Sequence, residues 1–130
     1  MIRALKVVLI VVGVVEILLG LSLLVVPDQV ADMAGVDEVS GYTAYVMASL
    51  GICLIVASVF LIIAARDPLR HINWVEFAIA WFILGAVGGL FSIVRGNVEF
   101  GHVGTQIIMD AVFGAALLIV YPYRLAAGKK

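Results

Sequence analysis

Four long apolar runs constrain this chain more than any other feature of its sequence. They cover residues 5–26, 42–65, 72–94 and 104–121, and each reaches the roughly 18 residues that mark a candidate membrane-spanning helix. In hydrocarbon every backbone amide must be satisfied within its own segment, and the runs lack the alternation of barrel strands, so they predict helices. The expected fold is an all-α integral membrane protein, a four-transmembrane-helix up-and-down bundle.

The remainder of the chain is too short for a soluble domain. Hydrophobic residues make up 65% of the 130 positions and charged residues 13%, against about 45–50% and about 25% in soluble proteins. Four spans of about 20 residues use most of the length and leave only short loops and tails. We therefore expect a single transmembrane domain over residues 1–130.

The basic residues predict the orientation of the bundle. If the amino terminus is cytoplasmic, Arg95 is the one basic side chain that lies outside. The others all lie inside: Arg3, Lys6, Arg66, Arg70, Arg124, Lys129 and Lys130. This asymmetry is the one described by the positive-inside rule, so both termini are expected in the cytoplasm.

The loop between the first two runs predicts a short additional helix. Val30, Met33 and Ala34 fall at helical spacing, and Gly35 follows them as a stop signal. A short helix of this kind is expected to lie along the membrane interface.

Two acidic residues fall in the middle of the apolar runs. Glu16 lies eleven residues after the start of the first run, and Asp110 lies eleven residues before the end of the fourth, so both are about 16 Å from the cytoplasmic boundary. A carboxylate at this depth costs about 2.5–3.5 kcal/mol and normally faces protein or water. Together with Gln106, one turn from Asp110, they form a candidate proton or ligand site. The alternative is that both carboxyl groups are protonated and only hydrogen-bonded within the bundle.

Glu76 differs from these two carboxylates because it lies near the end of its run. It is one turn past the start of the third run, with Asn73 three residues before it, and only about 6 Å from the cytoplasmic boundary. At that depth a side chain can reach the interface or pair with Arg66 or Arg70. Glu76 and Asn73 are therefore expected to be an interfacial polar pair.

The third run also carries a stripe of small residues. Gly85 and Gly89 form a Gly-x-x-x-Gly pattern, and Gly88 and Ser92 lie beside them. Glycines at this spacing let two helix backbones approach closely in lipid. Because the stripe points away from Glu76, the helix has two candidate contact faces. The stripe either forms the interface with a partner chain or tightens the packing inside the bundle, and the sequence leaves both alternatives open.

Other functional classes lack their sequence signals. The formal net charge is −1 and the basic residues are scattered, so there is no cationic face for nucleic acid. Cys53 is the only cysteine, which excludes an internal disulfide or a Cys-x-x-Cys pair. His71 and His102 belong to opposite sides of the membrane, and phosphate loops, nucleophile motifs and metal-ligand spacings are missing. We expect no catalytic residue, no cofactor and no metal, and therefore no enzyme.

Three short motifs carry a family resemblance. They are the end of the first run at residues 18–27, the Ala-Arg-Asp-Pro-Leu-Arg turn at residues 65–70 and the Tyr-Pro pair at residues 121–122. Together they resemble the BphX-like group of small bacterial membrane proteins, which is also similar to DoxX-like proteins. The resemblance implies four membrane helices in a bacterial cytoplasmic membrane, and it implies no activity and no site residue.

These observations lead to two functional hypotheses. The first is a non-enzymatic membrane protein that acts through helix–helix contacts, as an accessory subunit of a larger membrane complex or as a homo-oligomer. Its partners would be membrane lipids and other membrane subunits or copies of itself. The alternative is a small proton-coupled transporter or channel that uses the midplane carboxylates Glu16 and Asp110.

Overall fold

The computed structural model describes residues 1–128 and is helical without strands over that range. The helices are α1 (Ile2–Val25), α2 (Pro27–Met33), α3 (Gly41–Arg66), α4 (Ile72–Val94), α5 (Phe100–Val120) and α6 (Tyr123–Ala127). By length and composition, α1, α3, α4 and α5 are able to cross a membrane. The prediction of an all-α, four-helix membrane architecture is confirmed. The orientation of the termini and the single domain stay predictions, and Lys129 and Lys130 lie outside the described residues.

The four long helices form a ring in chain order. α1 packs closely on α3, and α4 packs closely on α5. The ring is closed by sparser contacts between α3 and α4 and between α1 and α5. Consecutive helices are antiparallel, as in an up-and-down bundle. The bundle therefore consists of two tight helical pairs, α1/α3 and α4/α5, that meet along two looser seams.

Glycines set the close packing of the α1/α3 pair. A Cβ added to Gly20 would lie 2.6 Å from the carbonyl oxygen of Gly51, and one added to Gly51 would lie 2.5 Å from that of Gly20. The two backbones are therefore in direct contact, which only residues without a side chain permit. Gly13 repeats this packing closer to the amino terminus, where an added Cβ would lie 2.7 Å from Cγ1 of Ile62.

The main hydrophobic core occupies the part of the bundle that holds the beginning of α1, the end of α5 and α6. We call this part the terminal half (residues 2–15, 59–82 and 111–127), and the opposite part the loop half (residues 17–57 and 83–109). Within the terminal half Phe82 packs edge-to-face against Phe113, with ring centroids 5.4 Å apart. The buried core residues are Leu5, Leu9, Val12, Leu61, Ala65, Ile72, Val75, Ala78, Phe82, Leu117, Tyr121 and Ala126. All four long helices and α6 thus meet in the terminal half.

The short helix expected after the first span is confirmed as α2. It is followed by Gly35, whose φ of +75° suits a residue without a side chain. A Cβ added to Gly35 would lie 2.6 Å from the His102 ring, so this loop touches the beginning of α5. The next helix, α3, is capped by Ser40, whose hydroxyl accepts a hydrogen bond from the Thr43 backbone amide at 3.1 Å.

Candidate functional site

A layer of buried polar side chains separates the terminal half from the loop half. It consists of Glu16, Ser58 and Asp110, which are 3%, 1% and 8% exposed. Glu16 lies nine residues from Val25, and Asp110 lies ten residues from Phe100, so they are about 14 Å and about 15 Å from those helix ends. The structure therefore places both predicted midplane carboxyl groups at one level and inside the bundle. We call these three residues the polar layer.

Asp110 is held by contacts from its own helix and from α4. Gln106 Nε2 donates a hydrogen bond to Asp110 Oδ1 at 3.0 Å. On the other side, a Cβ added to Gly85 would lie 2.7 Å from Asp110 Oδ2. The absence of a side chain at residue 85 therefore makes room for the carboxyl group. Asp110 and Gln106, predicted as members of one site, are in direct contact.

Glu16 is buried without a complete set of hydrogen bonds. Its Oε1 atom has no hydrogen-bond partner among residues 1–128. Asp110 is buried at the same level of the bundle, on α5, which contacts α1. A buried acceptor without a donor costs about 1–3 kcal/mol, and more when the acceptor is charged. Glu16 therefore holds an unused acceptor at the centre of the bundle, the position where a proton or a donating ligand would be stabilised.

A small cavity of about 10 Å³ lies beside Glu16, along the looser seam between α3 and α4. This volume is about the space that one water molecule needs. Its walls are formed by Leu54, Ala57, Ser58 and Leu61 of α3 and by Phe77, Ala78, Trp81 and Phe82 of α4. The Ser58 hydroxyl donates to the Leu54 carbonyl oxygen at 2.6 Å. Its hydrogen is therefore already used, and the oxygen has only acceptor capacity left for the cavity.

A row of aromatic rings leads to this cavity along the same seam. Phe60 stacks on Trp74 with centroids 4.6 Å apart. Trp74 packs edge-on against Phe77 at 6.2 Å, and Phe77 packs against Trp81 at 5.8 Å. This aromatic row was not predicted from the sequence, although residues 74, 77 and 81 follow the three- and four-residue spacing that places side chains on one helix face.

Glu76 lies in the terminal half, apart from the polar layer. Tyr121 donates a hydrogen bond from its hydroxyl to Glu76 Oε1 at 2.5 Å. Glu76 is partly buried, and Asn73, one turn earlier, is exposed. The contact with Tyr121 joins residues that are 45 positions apart, so residue spacing within α4 could not have identified it.

The glycine stripe of α4 is divided between two environments. Gly85 faces Asp110, and a Cβ added to Gly89 would lie 2.5 Å from Cγ1 of Ile107. Gly88 has open space around it, with no atom of a neighbouring helix within 4 Å of an added Cβ, and its carbonyl oxygen accepts a hydrogen bond from the Ser92 hydroxyl at 3.0 Å. Gly85 and Gly89 therefore pack inside the bundle, which is one of the two alternatives that the sequence left open. A partner contact stays a prediction for the side that carries Gly88.

No family model matches this chain, and no curated protein or solved structure matches it either. Within residues 1–128, no group of three or more His, Cys, Asp and Glu side chains is placed to hold a metal ion. The polar layer with Gln106 brings together two carboxyl groups, a hydroxyl and an amide. These groups bind protons and hydrogen-bond donors.

Proposed function

We propose that this integral membrane protein is a non-enzymatic, proton-coupled transporter of a small solute, in which Glu16 and Asp110 carry the proton. The observation that carries the proposal is the Glu16 carboxyl group, which is 3% exposed, has an Oε1 atom without a partner among residues 1–128, and lies beside a cavity. An ionisable side chain inside a membrane bundle is typical of proton relays and solute paths.

The coupling follows from the interaction of the two carboxyl groups. Two carboxyl groups buried in one layer of the bundle are costly to ionise together, which favours the state in which one of them carries a proton. A solute that donates hydrogen bonds to Glu16 competes with that proton. Gln106 keeps Asp110 in a fixed position through its hydrogen bond. Binding of solute and release of a proton are therefore linked at one place.

The packing of the helices supports a way to move the bound solute. The α1/α3 pair and the α4/α5 pair are each tightly packed, whereas the contacts between the pairs are sparser. Many secondary transporters work by rocking of one rigid part against another around a fixed central site. In this proposal the two helical pairs are the rigid parts and the polar layer is the central site.

Infrared spectroscopy of the protein in lipid nanodiscs tests the proton step. The wild-type protein is expected to show a protonated carboxyl C=O band that titrates with pH and is lost in Glu16→Gln. Glu76→Gln is the matched control, because it removes another carboxyl group of the bundle outside the polar layer, and it should keep the band. An unchanged titration in Glu16→Gln would overturn the proposal.

Vesicles containing the protein and an enclosed pH-sensitive dye test the transport step. Cationic, neutral and anionic solutes are added outside, one at a time. At least one class should drive proton movement with the wild-type protein and with Glu76→Gln, but not with Glu16→Gln. Proton movement that is the same in empty vesicles for every class would contradict transport.

We also propose that the protein lies in a bacterial cytoplasmic membrane with both termini in the cytoplasm. The position of seven of the eight basic residues on one side supports this orientation. The resemblance to the BphX-like group supports the choice of membrane. A reporter enzyme fused after residue 130, active in only one of the two compartments, tests the orientation.

A second candidate function is an accessory subunit or homo-oligomer that acts through helix contacts. One observation favours it. Residues 83–94 of α4 include no buried residue, and the open Gly88 lies within this segment. A partner helix lying along this segment would cover it. Replacing Gly88 by Leu should then shift the assembled species on a native gel, and an unchanged pattern would count against a contact at this position.

A further inference from the structure

The seam between α3 and α4 joins the aromatic row to the Glu16 cavity without a break. Phe77 and Trp81 belong to both. Trp74 lies two residues after the start of α4 and Trp81 nine residues after it, which places them about 3 Å and about 14 Å along the helix. Each of the four rings is between 37% and 41% exposed. The row is thus an open aromatic surface from the helix end to the middle of the bundle.

The polar atoms identified at the inner end of this surface require a donor. Glu16 Oε1 has no partner within residues 1–128, and the Ser58 hydroxyl has given its hydrogen to Leu54. A carboxylate attracts a cation, and the faces of Trp and Phe rings attract cations as well. The chemistry that complements this end of the seam is therefore a positively charged group with N–H donors.

The size of the cavity restricts the shape of that group. A cavity of about 10 Å³ accepts a group no larger than about one water molecule. A primary ammonium head, with one nitrogen and three hydrogens, has that size. A trimethylammonium head is several times larger and has no N–H to donate. The remainder of the ligand must lie along the exposed rings, where apolar chains pack well.

We propose that the α3/α4 seam binds a primary amine with an apolar tail, its ammonium head at Glu16 and Ser58 and its tail along the aromatic row. This inference rests on the proposed proton-coupled function and names its substrate class. The ammonium head takes the place of the proton at Glu16, so one positive charge replaces another. Such a ligand enters sideways from the lipid, because the rings lie on the outer side of the seam.

The fluorescence of Trp81 provides a direct test of binding. The chain has two tryptophans, so Trp74→Phe leaves Trp81 as the single reporter, at the wall of the cavity. The full-length protein in phosphatidylcholine nanodiscs is titrated with hexylamine, with hexan-1-ol and with hexyltrimethylammonium. The alcohol keeps the tail and a donor but has no charge, and the quaternary ion keeps the charge but has a large head without N–H groups.

The fluorescence change is expected to saturate with hexylamine at a concentration at least about tenfold lower than with either analogue. Only hexylamine has a charged head that fits the cavity and can donate a charge-assisted hydrogen bond. Equal affinity for hexan-1-ol would overturn the role of charge. Equal or tighter binding of hexyltrimethylammonium would overturn the primary-amine head. These comparisons use one folded protein, so they do not depend on the stability of any further variant.

Variants of the carboxyl groups locate the binding site. Glu16→Gln should abolish the preference for hexylamine, whereas Glu76→Gln should keep it. A preference that survives in Glu16→Gln would overturn the proposed site. Infrared titration separates the two proposals. If the wild-type protein shows the Glu16-dependent carboxyl band but does not prefer hexylamine, only the amine-binding proposal is overturned. A missing carboxyl band overturns the proton-coupled function.

Discussion

The terminal half and the loop half of this bundle are held together in different ways. In the terminal half, large apolar side chains from all four long helices and α6 share one buried core. In the loop half, the close contacts lie within each helical pair, where Gly20 meets Gly51 and Gly89 meets Ile107. The α1/α3 and α4/α5 pairs therefore pack against each other mainly in the terminal half.

This difference follows from how helices associate in lipid. A large side chain at a helix surface gains little from leaving lipid, so association depends on close packing. In the terminal half the packing comes mainly from interlocking side chains, which join several helices at once, and Gly13 adds one close approach of α1 to α3. In the loop half it comes from glycines, which bring one helix directly against one neighbour. The polar layer lies where the first kind of packing ends.

The largest expected effect comes from removing a ring of the terminal core. Phe82→Ala should lower the free energy of unfolding by about 3 kcal/mol, the lower part of the range for buried rings, because the ring leaves protein for lipid rather than water. Unfolding in mixed micelles of increasing SDS content measures this change. Phe91→Ala makes the same change at a ring that is 61% exposed in the loop half, and it should cost much less. Equal losses would break the distinction between the halves.

A smaller effect is expected from adding a side chain between α1 and α3. Gly51→Leu places atoms where an added Cβ already lies 2.5 Å from the Gly20 carbonyl oxygen, so the pair must separate, at a cost of about 2 kcal/mol. The same micelle titration measures it. Gly88→Leu is the control, since Gly88 has open space. If both variants are equally stable, backbone contact does not hold the α1/α3 pair together.

Removing one hydroxyl tests the polar contact of the terminal half. Tyr121→Phe takes the donor away from Glu76 Oε1 and should destabilise the protein by about 1 kcal/mol. The shift of the SDS unfolding midpoint reports it. Tyr45→Phe removes a hydroxyl from a residue that is 69% exposed in the loop half, and its midpoint should stay where it is in the wild type. A larger shift for Tyr45→Phe would reverse the comparison.

The smallest effects come from single methyl groups on the glycine stripe, and they differ in sign. Gly88→Ala should stabilise the protein by about 0.5 kcal/mol, because alanine favours the helix and meets no neighbour. Gly85→Ala should destabilise it slightly, since its methyl group would lie 2.7 Å from Asp110 Oδ2. The thermal unfolding temperatures of the two variants, measured side by side, show which glycine is packed against a neighbour and which is open. Stabilisation by both would show that Asp110 does not need the space at residue 85.

Much of the fold could be predicted because hydrocarbon imposes strict requirements on length and polarity. The four spans follow from hydropathy, and counting residues was enough to bring Glu16 and Asp110 to one depth. Counting fails where contacts depend on helix rotation. Nothing in the spacing of α4 says that Gly85 lies on Asp110, or that Trp81 reaches the cavity beside Glu16.

Short segments and distant partners were also beyond the reach of the sequence pattern. The five residues of α6 are too few to show a period, yet Ala126 belongs to the core. The donor to Glu76 comes from the end of another helix, whereas the partners predicted from the sequence were the charged residues nearest in the chain. Ser58 is an ordinary serine bonded to its own helix, and only the helix packing places it beside Glu16 at the cavity.

The position of the core has a consequence for how the chain is made. During synthesis α1 and α3 emerge first and can pair at once through their glycines, before α4 exists. The core, however, also needs Leu117, Tyr121 and Ala126, which follow α4 in the chain and are made after it. A half-made chain thus holds a finished first hairpin and an unfinished core. The terminal core can therefore close only after α5 and α6 have been inserted.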